Sequence, residues 1–175
     1  MKKRGFLVVV ALIVFCFAGV SLADTKDGEK AFLSDLKKAI PQDKIVSVDD
    51  LYTTWQNIQA GKSNAVIIDV RTRDEFDAGH ILGSNNVDSG HAYQLPKKIA
   101  DPEQEIWIFC RTQHRASYFA SLLYNYGYHN VYLVEGGIVS WIEKSYPLVN
   151  QYLGEIKVVK YNKKTEEQYA FREGH

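Results

Sequence analysis

Residues 105–110 read EIWIFC, and the five residues after the glutamate form a continuous apolar run with aromatic and β-branched side chains. Such a run is typical of a strand that is buried on both faces of a sheet. Similar runs occur at residues 65–70 (AVIIDV) and 130–134 (NVYLV). Between the last two runs, residues 115–126 place apolar side chains on one helical stripe that ends before Gly127. Strands that alternate with helices predict an α/β fold, in which helices cover both faces of a central parallel sheet.

Shorter patterns complete the predicted fold. Helical spacing of apolar residues recurs in three further segments, residues 29–40, 49–60 and 138–144. Short strands are predicted at residues 45–48, 85–87 and 155–161, the last of them an edge strand. The polar and charged residues 162–175 predict a disordered tail.

The composition excludes several classes of protein. Of the 175 residues, 46% are hydrophobic and 24% are charged, which is typical of a globular domain. Lysine and arginine number 21, as do aspartate and glutamate, and a chain without a basic excess is not expected to bind nucleic acid. Two cysteines are too few for a disulfide-rich scaffold or a four-cysteine zinc site. Because the chain also has no phosphate-binding glycine loop and no HExxH motif, we predict neither a metal nor a cofactor.

The N-terminus has the organisation of a signal peptide. Basic residues 2–4 precede residues 5–23, which carry no charge and end in Ser21-Leu22-Ala23. This order predicts a secretory signal peptide that is cleaved after Ala23, and hence a periplasmic or secreted protein. An uncleaved membrane anchor is the alternative, because the apolar stretch is only slightly shorter than the about 20 residues of a membrane span. Cleavage would remove Cys16 and leave Cys110 as the single cysteine.

Cys110 is the last residue of a predicted central strand. Ligands of α/β proteins bind at the edge of the sheet where the carboxyl ends of the strands lie. The next residues, from Arg111 to Arg115, lead into a predicted helix. Backbone amides of such a turn, the positive end of the helix and the two arginines all favour a thiolate, which is the reactive form of cysteine. The alternative, from these residues alone, is an inert cysteine that fills space in the core.

Four motifs follow one another along the chain. They are Ile67-Ile68-Asp69-Val70-Arg71 with Glu75-Phe76, Gly79-His80-Ile81-Leu82-Gly83-Ser84, the loop from Cys110 to Arg115, and Leu133-Val134-Glu135-Gly136-Gly137 with Trp141. Together they resemble the rhodanese-like domain family over about residues 46–146. The resemblance implies a three-layer fold with a parallel sheet of about five strands. The chain then divides into residues 1–23 (signal peptide), 24–44 (helical extension), 45–148 (rhodanese-like domain) and 149–175 (C-terminal extension).

The resemblance also implies a sulfurtransferase. In the family, the loop cysteine takes a sulfane sulfur from a small anion such as thiosulfate, becomes a persulfide, and passes the sulfur to cyanide or to a thiol, including a protein thiol. Cys110 occupies that catalytic position. The loop positions that would bind the substrate are Arg111, Thr112, Gln113, His114 and Arg115. The positions that would support the site structurally are Asp69, Arg71, His80, Gly136 and Gly137.

One departure from the family pattern leaves alternatives open. Gln113 stands where the family loop often has glycine, and a left-handed backbone there would cost about 1 kcal/mol and reshape the loop. A non-catalytic or redox-sensing binding module is therefore an alternative function. A phosphatase or arsenate reductase on the same scaffold is a weaker alternative, because those relatives have one residue more in the loop than the four between Cys110 and Arg115.

Overall fold

A computed structural model describes residues 25–158 of the chain. The predicted signal peptide, Cys16 and the polar tail at residues 162–175 lie outside these residues. None of the helices in the described part is both long and apolar enough to cross a membrane.

The described residues form helices and strands in alternation. The α-helices are α1 (Thr25–Lys38), α2 (Val48–Gln59), α3 (Arg73–Ala78), α4 (Leu95–Lys98), α5 (His114–Asn125) and α6 (Gly137–Glu143). The strands are β1 (Ile45–Val46), β2 (Val66–Asp69), β3 (Asn85–Asn86), β4 (Ile106–Phe109), β5 (Val131–Val134), β6 (Leu148–Asn150) and β7 (Gly154–Ile156). Two 3₁₀ helices, Gln42–Lys44 and Ser89–Gln94, precede β1 and α4.

The central sheet has five strands in the order β1-β5-β4-β2-β3, and all of its pairings are parallel. This confirms the predicted α/β fold. Strand β4 lies in the middle, and all four of its residues are buried, as the apolar run at residues 105–110 predicted.

The two faces of the sheet are covered by different helices. On one face, Ile68 and Ile108 belong to a core cluster with Phe119 and Leu123 of α5. On the other face, Trp107 and Phe109 belong to a second cluster, whose helical members come from α2 and α6, among them Leu51, Ile138 and Trp141. Side chains that alternate along β4 therefore fill two separate cores.

Two short strands differ from the prediction. Strand β1 ends at Val46 rather than at Val48, because Ser47 and Asp50 form a reciprocal capping box that starts α2 at Val48. The described part of the strand predicted at residues 155–161, which extends to residue 158, does not join the central sheet. Within the described residues, β7 instead pairs antiparallel with β6 in a separate two-stranded sheet.

A buried ion pair closes the carboxyl end of β2. The guanidinium of Arg71 donates from Nη2 to Asp69 Oδ2 at 2.6 Å and to the carbonyl of Gly79 at 2.7 Å. Asp69 is fully buried and Arg71 is 6% exposed. The side-chain amide of Asn86 donates to the carbonyls of Asp69 and Arg71. These bonds tie the end of β2 to α3 and to β3, beside the end of β4.

We expect Asp69→Ala to lower the free energy of unfolding by about 3–5 kcal/mol, since it leaves the Arg71 guanidinium buried without a countercharge. Asp77→Ala is the matched control, because Asp77 pairs with the exposed Arg73. Its loss should cost about 0.5 kcal/mol or less. Urea unfolding of both variants measures the difference, and equal losses would contradict a structural role for the Asp69–Arg71 pair.

Candidate active site

The thiol of Cys110 lies directly after β4, at the carboxyl edge of the sheet. The end of β2 is adjacent, since the amide of Val70 donates to the carbonyl of Phe109 at 3.0 Å. Cys110 is 2% exposed and belongs to the apolar cluster on the α5 side of the sheet. The next residue, Arg111, is exposed, so the chain leaves the core within one residue.

The start of α6 holds the first half of the loop. The amides of Ile138 and Val139 donate to the carbonyls of Cys110 and Arg111 at 2.9 and 3.2 Å. Gly137 has a φ of +55°, and a Cβ there would lie 2.3 Å from the carbonyl oxygen of Cys110. Gly136 has a φ of +76°, and a Cβ there would lie 2.2 Å from Ser140 Oγ. Both glycines are therefore required, one for the approach to the loop and one for the turn into α6.

Helix α5 begins at the other end of the loop. Gln113 occupies its N-cap position, but its side chain makes no capping hydrogen bond. Among residues 25–158, no side chain accepts from the first amides of α5, which lie at the positive end of the helix beside the loop. The φ of Gln113 is −164°, an extended conformation that any residue adopts. The cost expected for a left-handed glutamine at this position does not arise.

Arg115 faces a carboxylate that the sequence did not single out as part of the site. Its guanidinium donates to both oxygens of Glu75, at 2.6 and 2.9 Å, and each side chain is about one-third exposed. Glu75 also completes the capping box of α3 with Thr72. The hydrogen bonds from Arg115, with those from Thr72, lower the pKa of Glu75 to about 2. Glu75 in turn raises the pKa of Arg115, and the nearby Cys110 contributes to that shift.

The remaining side chains of the loop are differently engaged. The amide of Gln113 donates from Nε2 to Glu135 Oε1 at 2.8 Å, and Lys37 of α1 donates to the same oxygen at 3.2 Å. The bond from Gln113, followed by the bond from Lys37, lowers the pKa of Glu135. Within residues 25–158, Arg111 makes no ion pair. Its guanidinium is therefore available to bind an incoming anion.

The predicted structural residues lie at the same edge of the sheet or behind it. Gly137 contacts the loop directly, Gly136 lies at the turn into α6, and Asp69 and Arg71 close the neighbouring strand. His80 contacts α3 and β6. Its Nδ1 is 2.9 Å from the carbonyl of Phe76, its ring stacks on the Phe76 ring, and its backbone pairs with Val149 of β6. Across residues 25–158, no group of three or more His, Cys, Asp or Glu side chains has an arrangement that could hold a metal ion.

Three comparisons with known proteins agree with one another. The sequence model of the family described as "Rhodanese-like domain" matches residues 50–144. The thiosulfate sulfurtransferase GlpE of Stutzerimonas stutzeri is 34% identical over 87 residues, which are 49% of this chain and 76% of that protein. The protein YqhL of Bacillus subtilis is 31% identical over 88 residues, which are 50% of this chain and 69% of that protein. The crystal structure of a rhodanese-related protein from Thermoplasma volcanium superposes with a TM-score of 0.51 at 30% identity, over 61% of this chain and 97% of that one.

Gly137→Ala should disrupt the loop far more than a glycine substitution at an open turn. Gly61 is the matched control, because its φ of +67° is also positive but a Cβ there would meet nothing within 4 Å. Gly61→Ala should cost about 1–2 kcal/mol of unfolding free energy, the cost of a left-handed alanine. We expect Gly137→Ala to cost clearly more in urea unfolding and to change the rate at which iodoacetamide alkylates Cys110. Equal costs and an unchanged alkylation rate would show that the close approach to the Cys110 carbonyl is not needed.

The Glu75–Arg115 pair should make stability depend on pH in a defined range. The pKa of Glu75 is about 2 in the folded protein against an ordinary value of 4.5, so the carboxylate stabilises the fold above pH 4.5 and this contribution is lost as the pH falls towards 2. Glu75→Gln should therefore lower the free energy of unfolding by about 1 kcal/mol at neutral pH, and the deficit should shrink below pH 4.5. Urea unfolding at a series of pH values measures it. In an Arg115→Gln background most of this pH dependence should disappear, and its persistence there would assign it to another group.

Proposed function

Because the chain belongs to the rhodanese-like domain family, we propose that it is a sulfurtransferase that carries sulfane sulfur as a persulfide on Cys110. The observation that carries this proposal is the position of Cys110: it directly follows the central strand β4, and the loop after it leads to the start of α5, where the N-cap side chain makes no capping hydrogen bond. A similar protein, GlpE, is a thiosulfate sulfurtransferase, and this supports thiosulfate as a donor.

The two half-reactions follow from the chemistry of the thiolate. The Cys110 thiolate attacks the outer sulfur of thiosulfate, the sulfur–sulfur bond of the donor breaks, and sulfite leaves with the electron pair of that bond. The terminal sulfur of the persulfide is then attacked by cyanide, which yields thiocyanate, or by an acceptor thiolate, which becomes a persulfide. Either attack returns Cys110 as a thiolate. No redox partner is required, since sulfur and electrons balance in each step.

The loop provides positive potential for the anionic sulfur of Cys110 and for the anionic donor. The uncapped amides of α5 stabilise negative charge on the thiolate and on the persulfide. We assign the orientation of the donor to Arg111, because the guanidinium of Arg115 is bound by both oxygens of Glu75. Thr112, Gln113 and His114 complete the lining of the proposed site. Since Cys110 is only 2% exposed, a small donor is favoured over a bulky one.

We also propose that the protein acts outside the cytoplasm. The basic residues 2–4, the uncharged residues 5–23 and the Ser21-Leu22-Ala23 ending support export with cleavage after Ala23. The enzyme would then work in the periplasm or be secreted. If the segment is not cleaved, it would hold the same domain at the membrane surface.

Intact mass spectrometry tests both proposals on the protein purified from cells that express the full chain. After incubation with thiosulfate, the wild type should gain the mass of one sulfur atom, and Cys110→Ser should gain none. The same spectrum should show a chain that begins at Asp24. Thiocyanate formation from thiosulfate and cyanide should fall by at least about 10³-fold in Cys110→Ser, because the covalent carrier is lost.

Cys16→Ser is the matched control, since the other cysteine of the chain lies within the predicted signal peptide and should not matter for sulfur transfer. Equal cyanide-dependent activity in the wild type and Cys110→Ser would refute the sulfurtransferase proposal. A folded wild-type protein that takes up no sulfur would favour the binding-module alternative. A chain that retains residues 1–23 would favour the membrane-anchored form.

A further inference from the structure

Helix α1 precedes the segment that matches the family model, yet its last turn is linked to the loop of Cys110 through one carboxylate. The match begins at residue 50, whereas α1 ends at Lys38. The helix packs along α5, and none of its residues is buried. Lys37, in its last turn, donates to Glu135, which in turn accepts from Gln113 in the loop.

Glu135 is held in place by its backbone and engaged by its side chain. Its amide donates to the carbonyl of Val46 at 2.9 Å, which fixes it at the carboxyl end of the sheet. One carboxylate oxygen, Oε1, then receives both Gln113 Nε2 at 2.8 Å and Lys37 Nζ at 3.2 Å. Three elements that are far apart in the chain thus meet on a single oxygen atom.

Stability alone does not account for this arrangement. The side chain of Lys37 is 37% exposed and that of Glu135 is 53% exposed, and an ion pair so exposed adds little to the free energy of folding. The Lys37–Glu135 pair matters more for the charge of the site than for stability. Glu135 places a negative charge beside a loop that, in the proposed function, must hold a thiolate and attract an anion. Lys37 compensates that charge, while Glu135 holds the Gln113 side chain at the start of α5.

Building on the proposed sulfur transfer, we propose that Lys37 and Glu135 are positioning residues of the site and that helix α1 belongs to it functionally. Glu135 holds Gln113 at the start of α5, and Lys37 cancels the charge of Glu135 at the loop. Without Lys37 the uncompensated carboxylate repels thiosulfate and disfavours the Cys110 thiolate. A neutral side chain at both positions restores the balance.

Variants of the full chain test this coupling. Lys37→Gln should raise the KM for thiosulfate by on the order of threefold with little change in kcat, as expected for one added negative charge near a dianion in partly screened surroundings. It should also displace the pH profile of Cys110 alkylation by iodoacetamide to higher pH. Both effects should fade at high salt, and Lys37→Arg, which keeps the charge, should behave as the wild type.

The matched control is Lys38→Gln. Lys38 lies in the same turn of α1 and pairs with Asp35 of its own helix, so its loss should leave both readouts unchanged. Glu135→Gln should lower the KM for thiosulfate, and Lys37→Gln with Glu135→Gln together should return it to near the wild-type value.

The outcomes separate this inference from the sulfurtransferase proposal. If the wild type transfers sulfur but Lys37→Gln and Lys38→Gln have the same KM for thiosulfate and the same alkylation profile, the inference is overturned and the sulfurtransferase proposal is not. A KM of the double variant that stays about threefold above the wild-type value would also overturn it, because the loss of Lys37 would then not act through the charge of Glu135. Alkylation of Cys110 needs no sulfur transfer, so a displaced pH profile in Lys37→Gln would support the coupling even if no variant forms a persulfide.

Discussion

The site depends on the close approach between the start of α6 and the carbonyl groups of Cys110 and Arg111. Two amides of α6 bind these carbonyls, and Gly137 makes the approach possible because any Cβ would collide with the Cys110 oxygen. This contact determines which backbone groups of the loop form hydrogen bonds within the protein. The carbonyls on the side of β4 are bonded, whereas the first amides of α5 have no side-chain acceptor. The unsatisfied donors at this turn are therefore of the kind that attract negative charge.

The charges around this turn are arranged in three different ways. Asp69 and Arg71 are buried together and serve the end of β2. Arg115 and Glu75 are half-buried and neutralise each other beside the thiol, which limits how much of the Arg115 charge reaches a substrate. Arg111 is exposed and, in the described part of the chain, unpaired. A loop whose positive charge is partly compensated suits the proposed sulfur transfer, in which sulfite has to leave the site in every cycle.

Local sequence patterns predicted the parts of this structure that local physics determines. The runs at residues 65–70, 105–110 and 130–134 became the three inner strands, since strands buried on both faces must be apolar throughout. The stripe after Cys110 became α5, and the loop lies where the end of a parallel strand placed it. Strand β1 was predicted too long. The capping box between Ser47 and Asp50 starts α2 at Val48 and outweighs the strand propensity of that valine. Strand β6 was not predicted, because a strand of three residues has too short a pattern to read, whereas β7 overlaps the strand predicted from residue 155.

The side-chain partners within the site could not be predicted in the same way. Glu75 and Arg115 are 40 residues apart, and Lys37 and Glu135 are 98 apart, so no periodicity connects them. The sequence also could not give the φ of Gln113, because Glu135, which holds its side chain, is brought to the loop only by the tertiary structure. The burial of Cys110 likewise has two interpretations until its surroundings are known. Its thiol shares a cluster with Ala116 and Phe119, as an inert cysteine would. The outer sulfur of the proposed persulfide would carry charge, which apolar side chains solvate poorly. We therefore expect it to extend towards the loop and the first amides of α5.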